Sequence, residues 1–542
     1  MADRYWVGGT AAWDGTAGTK WATTSGGAGG ASVPTSADDV FFTNLSTGTC
    51  TISTGNTGAK SINCTGFTGT LAGSAAITVS GSITLVAGMT WTYAGTISIA
   101  ATATITSAGK TWTGSAINVN AAGATVTLGD DYTSTANLLV TAGTFSTSTN
   151  NYILTVNGLF SNNSFTRAIN LNASVVNITG SSINAINFQN NSGLTFNAGT
   201  SSIFCSGTAV SIYGGPTSGT GVTFYNLSFT TTSATTQQIF SINTFNNLTI
   251  TAPSAAGVTQ VTFDSRQTIN GTLSTTGTAG NRRVWFRGVT YGIAQTLTVN
   301  ATPSLTDADF RDLYVIGTAA PISGTRVGDL RGCRGITFSA AKTVYWVTLA
   351  GGNWSGNNWA ASSGGGASTD NFPLAQDTAV IENTGLNTSA TVTMDNVITY
   401  TGAVTMSTRT NAMTLSLSTG YTIYGNWTNG SGTTLSGAQT LTFSGRNTQT
   451  ITSAGKTFSG GITVDSYGGT VELAVNNLNI GTNILTITNG TFDTKNIDVT
   501  AAQLSSSNSN VRTITLGLST VTLSSDPVVF NTATNLTFNA GT

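Results

Sequence analysis

Histidine is absent from these 542 residues, and charged side chains make up only 7% of them. The first absence removes imidazole zinc sites and every serine or cysteine nucleophile activated by a histidine base. The second leaves a formal net charge of −1 with no basic stripe, so no nucleic-acid partner is expected. An ordinary globular domain is roughly 25% charged. Here Gly, Ser, Thr and Asn fill the gap, and proline is scarce at seven. Four cysteines (Cys50, Cys64, Cys205, Cys333) are too few for a disulfide framework, and none lies in a Cys-x-x-Cys pair. Two readings of them stand: a Cys50–Cys64 bond between neighbouring coils, or buried free thiols. No apolar run approaches the roughly 18 residues of a membrane span. The pattern that opens at Tyr5 leaves no room for a basic and then apolar export signal ahead of it. No cofactor, metal or catalytic residue is expected.

Disorder needs low hydrophobicity and high net charge. This chain is 39% hydrophobic, and Val, Ile, Leu and Phe alternate with polar residues in short runs. That pattern predicts an all-β protein of many short strands separated by Gly, Asn and Ser turns.

The chain also repeats itself. Residues 105–112 read ITSAGKTW and residues 451–458 read ITSAGKTF, an offset of 346. Tyr5-Trp6-Val7 recurs as Tyr345-Trp346-Val347, and LTFNAGT occurs at 194–200 and again at 536–542. Three landmarks in one order at nearly one offset define a tandem module of about 340 residues. The second copy stops where the first has reached only Thr200. Within copy one, Gly81, Gly95, Gly109 and Gly123 lie 14 apart, with an apolar column Ile77, Trp91, Ile105 and Val119 four positions before them. Later the step lengthens to 21, where 224–229 (FYNLSF) matches 245–250 (FNNLTI). Stacked coils place like residues above like, so Asn226 over Asn247 predicts a hydrogen-bonded ladder. Coils of 14 to 21 residues fit an elongated parallel β-helix, a β-solenoid of two tandem modules. The alternative is an array of β-sandwich domains.

A solenoid exposes strand edges at its ends and needs caps. Residues 1–44 and 345–385 are the candidates. Each carries three tryptophans (Trp6, Trp13, Trp21; Trp346, Trp354, Trp359), a Gly-rich stretch, a proline (Pro34, Pro373) and an aspartate four residues on (Asp38, Asp377). Solenoid segments are expected at 45–305 and 386–542, with a charged closing segment at 306–344.

The opening YWVGGTAAWDGTAGTKWATTSGGAGGASVPTSADDVFF, with the GFTGTLAG and ITSAGKTW repeats that follow, resembles large repetitive proteins encoded by tailed, especially marine, bacteriophages. Similar Trp…Trp…Pro…Asp openings precede β-strand repeats in some bacterial surface proteins. The resemblance implies a virion structural protein, a tail or head fibre or decoration protein that contacts other virion proteins and the host surface, often as a homotrimer. It brings no catalytic residues. The alternatives are a bacterial surface adhesin or surface-layer component, and a polysaccharide-degrading tailspike.

Two groups of residues are candidate sites. The tryptophans Trp6, Trp13, Trp21, Trp346, Trp354 and Trp359 either stack on the sugar rings of a host glycan or seal the first coil of each module. Asp307, Asp309, Asp312 and Asp329 stand in the densest charge of the chain, TDADFRDLYVIG…RVGDLRGCRG. Paired carboxylates are the machinery of glycoside hydrolysis, and such a pair also suits a metal ion. The competing reading is an Asp–Arg network closing the module before the next begins. A column of Thr78, Thr92 and Thr106 adds a third expectation, a flat hydroxyl array that orders water and binds ice; Asn120 interrupts it.

Overall fold

The computed structural model describes residues 2–114, 116–181, 184–525 and 528–541. It is nearly all β, with parallel sheets stacked into a solenoid of about 22 turns in two modules. Short strands with alternating burial build each coil: Leu154–Val156, Val175–Ile178 and Ser202–Cys205 each turn Leu, Val, Ile or Cys inward and Thr, Asn, Ser or Phe outward. Inward positions stack from coil to coil, as in Ile62–Ile83–Ile105–Leu128 and Ile77–Ile97–Ile117–Leu138. Long strands bend at a corner and serve two faces. Ile117–Leu128 pairs through its first half with Ile97–Ile99 and through its second with Ala103–Thr106.

These registers correct the 14-residue column. Ile77 lies over Ile97, Trp91 over Leu71, Ile105 over Ile83 and Val119 over Ile99, so a coil here takes 20 to 23 residues. A three-faced coil of about 21 residues brings equivalent inward positions round every seven, and two faces make 14. The period was therefore that of the faces. The later 21-residue step is a true coil: Asn226 sits beside Asn247, whose amide donates to the Asn226 carbonyl at 2.7 Å. Phe224 and Phe245 stack with ring centroids 5.5 Å apart. The threonine column dissolves likewise, since Thr78 lies over Ser98, Thr92 over Ala72 and Thr106 over Thr84. Other threonines do stack, among them Thr49, Thr70 and Thr90, and Thr422, Thr442, Thr463 and Thr486.

Both modules open alike. Asp3–Trp6 pairs antiparallel with Trp21–Ala22 and parallel with Asp39–Phe41; Thr343–Trp346 repeats this with Trp359–Ala360 and Thr378–Val380. The Pro-to-Asp turn supplies the bolt. Asp38 accepts from the amides of Thr35 (3.0 Å) and Ala2 (2.9 Å), and Asp377 from those of Leu374 (2.9 Å) and Lys342 (3.0 Å). A further echo lies deeper in each module. Arg167 and Arg512 are fully buried without a carboxylate partner among the described residues, their guanidinium groups donating to Ser161 and Ser506 Oγ and to backbone carbonyls of Phe165 and Asn190, and of Asn510 and Thr532.

The cysteines are free, with Cys50, Cys64 and Cys205 buried and Cys333 half-buried. Burial raises every one of these thiols, Cys205 to about 12. Among the described residues no helix is long and apolar enough to cross a membrane.

Candidate functional site: a charged junction between the modules

Among the described residues no strand ladder joins the first module to the second; their sheets are separate. The modules meet through side chains instead, and the aspartates singled out above lie at that contact. Asp307, Asp309 and Asp312 are wholly buried. Arg283, also buried, grips Asp309 with two bonds, Nε to Oδ2 at 2.5 Å and Nη2 to Oδ1 at 2.7 Å. Its remaining donors reach the carbonyls of Gly280 (3.0 Å) and Arg326 (2.8 Å). Arg326 in turn grips Asp307 (2.5 and 2.9 Å) and lies 3.2 Å from Asp370 in the second cap. From the second module, the Tyr400 hydroxyl donates to Asp309 at 2.5 Å. Bidentate arginine–carboxylate bonds of this kind are the strong members of their class.

Asp312 belongs to a second cluster. It pairs with Arg446 of the second module and accepts the Gly292 amide at 3.0 Å. Arg446 also stands over the Tyr291 and Tyr467 rings, at 5.5 and 5.2 Å, and the Tyr291 hydroxyl donates to the Asp465 carbonyl at 2.8 Å. Asp329 forms a third, partly exposed group. It pairs with Arg331 at 2.6 Å, and Gln376 ties the neighbouring backbone to the second cap through Val327 O (2.9 Å) and Asp329 N (3.0 Å). Trp285 fills the space between, with Arg311 and Arg287 over its ring at 4.8 and 5.4 Å and the Tyr400 ring 5.6 Å away.

Local backbone explains why aspartate occupies these places. Asp307 (φ 57°) and Asp312 (φ 54°) flank the strand Ala308–Arg311 in the left-handed region, which Asp tolerates better than most residues. The electrostatics follow from burial and pairing. Burial alone would lower the Arg283 guanidinium, but Asp309 outweighs it and holds the group above its usual range. Burial and then the Asp309 charge push the Tyr400 phenol well up, so it stays a donor. Burial also raises Asp465 and Tyr424.

The contact has a direction. Along Ala308–Arg311 and its end, Asp309 meets Tyr400 and Asp312 meets Arg446; along the preceding coil, Trp285 meets Tyr400 and Tyr291 meets Tyr467. A walk along one strand of the first module thus climbs successive coils of the second. The two solenoids cross.

The six tryptophans are elsewhere, and all are at 0% exposure. Trp21 stands edge-on to Trp6 and Trp13 (5.1 and 5.2 Å), and Trp359 to Trp346 and Trp354 (5.3 and 4.6 Å). Their indole faces are used within the core, which leaves no platform for a sugar ring there. Among the described residues no group of three or more His, Cys, Asp or Glu is placed to hold a metal ion. Sequence reading found the aspartates but missed Arg283 and Trp285, which share the run Arg282–Arg287, and Tyr400 and Arg446, which lie in the second module far along the chain. No protein-family model, curated protein or solved structure matches this chain.

Proposed function

We propose that the chain is a non-enzymatic structural protein of a bacteriophage virion, a tail or head fibre or decoration protein whose solenoid arm reaches toward the host surface. The observation that carries the reading is the burial of Asp307, Asp309 and Asp312, each gripped by an arginine. General acid–base chemistry needs a carboxyl within hydrogen-bond reach of a substrate, and these three are spent on architecture. About 22 closed turns supply length, and 19 Lys and Arg in 542 residues offer few sites to a trypsin-like protease. In this reading the partners are other virion proteins, the chain associates as a homotrimer, and any contact with a host glycan falls to the outer faces of the coils. The same fold serves a surface adhesin or surface-layer protein equally well, and a polysaccharide-cleaving tailspike remains the enzymatic competitor. The test is mass spectrometry on density-gradient fractions of the native source. Banding with intact particles upholds the virion reading; banding with cell envelopes overturns it in favour of the adhesin. Glycan hydrolysis by the folded wild-type chain would overturn the non-enzymatic reading.

A further inference from the structure

The two modules can be laid over one another through their ladders, and the comparison isolates one face. The inward row Ile77–Ile97–Ile117 of the first module corresponds to Tyr421–Leu441–Ile462 of the second, because each row pairs in the same order and the strand Ile117–Leu128 bends where Ile462–Ala474 bends. The Ala59–Val79 bridge then matches Thr401 over Ile423. In this register Tyr400 corresponds to Gly58, Tyr424 to Ser80, Asp465 to Asn120 and Tyr467 to Ala122. The corner that carries Arg446 becomes Ala100, Ala101 and Thr102. Nearby inward positions remain bulky in both copies (Ile83 and Trp427, Ile105 and Ile451), so the loss of size is confined to the outward face.

All five positions meet the end of the first module; four of them carry a smaller residue in the first module, and Asp465 gives way to the uncharged Asn120 of equal size. Tyr400 takes Asp309 and Trp285, Arg446 takes Asp312, and Tyr467 packs against Tyr291. Asp465 offers its carbonyl to Tyr291, and Tyr424 offers its carbonyl to Arg331 at 3.4 Å. Coil packing alone does not require these side chains, since the first module builds the same coils without them.

We infer that Tyr400, Tyr424, Arg446, Asp465 and Tyr467 form a dedicated docking face whose partner is the arginine- and aspartate-bearing closing coils of a preceding module, and that the first module lacks this face. The pairing is therefore directional. A heterologous contact repeated between chains would build a ring or an open filament. Here the closing coils have one receptor, in their own chain, and the bare face bearing Gly58, Ser80, Asn120 and Ala122 offers none to a neighbour.

The test uses the full chain with a protease site placed between Ala340 and Ala341, both exposed, cut only after folding. The expected result is that the two halves co-elute on size exclusion. Arg446→Asp should separate them or weaken their association by more than about tenfold. Separation of the cut wild-type halves would overturn the inference, as would co-elution unaffected by Arg446→Asp together with Tyr400→Ala. The uncut Arg446→Asp chain tests direction: its association state by light scattering should equal that of the wild type. New head-to-tail oligomers would show that the first module accepts the closing coils after all, and would sink the directional claim.

Discussion

Asp309→Asn is the sharpest probe of the junction. The substitution keeps the shape of the side chain and removes its charge, leaving the buried Arg283 with Asp307 at 3.7 Å as its nearest carboxylate. Removing one partner of a buried ion pair costs about 3–5 kcal/mol, because the surviving charge stays desolvated. Tyr400→Phe takes away only the hydroxyl that donates to Asp309, and the loss of one bond to a charged group costs about 1–3 kcal/mol. The two changes act on one carboxylate, so a double-mutant cycle should return a coupling of about 0.5–3 kcal/mol. Hydrogen exchange read by mass spectrometry is the suitable assay, because it resolves opening of separate regions. Peptides spanning Arg282–Gly288 and Tyr400–Thr401 should lose protection together. Those spanning Ile97–Ile99 and Ile117–Leu128 should not, since repeat stability is a sum of near-neighbour terms. A loss below about 0.5 kcal/mol, the scale of an ordinary surface substitution, would refute the view of Asp309 as a lock.

Three further outcomes are expected. Trp13→Ala should cost about 3–5 kcal/mol through lost contact and cavity, whereas Trp13→Phe should cost far less, because the buried Trp13 indole N–H has no hydrogen-bond partner among the described residues; thermal melts of both variants decide it. Asn247→Leu should destabilise by about 1–3 kcal/mol, because it removes the ladder bond to Asn226 and strands the Thr272 amide that Asn247 accepts at 2.7 Å; urea titration against wild type measures this. The caps should part company in acid: burial pushes Asp38 up but bonds from Thr35 and Ala2 outweigh it and lower its pKa, while burial leaves Asp377 raised. Asp38 then contributes stability above its unfolded value of about 3.9 that is lost as pH falls through the folded one. Ionised Asp377 opposes folding, and that cost disappears on acidification. Acid melts of Asp38→Asn and Asp377→Asn should show the wild-type decline flattened by the first and not by the second.

Much of this architecture was legible from residues 1–542 alone, for identifiable reasons. The repeat of Tyr5-Trp6-Val7 at Tyr345 marks two caps that do fold alike. Asn226 and Asn247 announced their ladder because aromatic and leucine neighbours fixed the register on both sides. The 14-residue column failed because three similar faces make two-thirds of a coil look like a whole one. The aspartates and Arg326 stand in one dense run that suggests an Asp–Arg network, but the pairing with Arg283 and Arg446 was not legible, since those partners lie 26 and 134 residues away. Arg167 and Arg512 passed unnoticed for the opposite reason: apart from one serine hydroxyl each, their partners are backbone carbonyls, which leave no mark in sequence.

The crossing of the two solenoids separates reach from aim. Coils inserted in the body of the first module, upstream of Val258, which packs against the second module's core, would lengthen that arm without touching the elbow. Exchange of Tyr400, Arg446 or Tyr467 would re-point the second arm without shortening either. Evolution can therefore adjust how far this molecule extends and where it points as two independent variables, one written in the number of coils and the other in a handful of side chains at the bend.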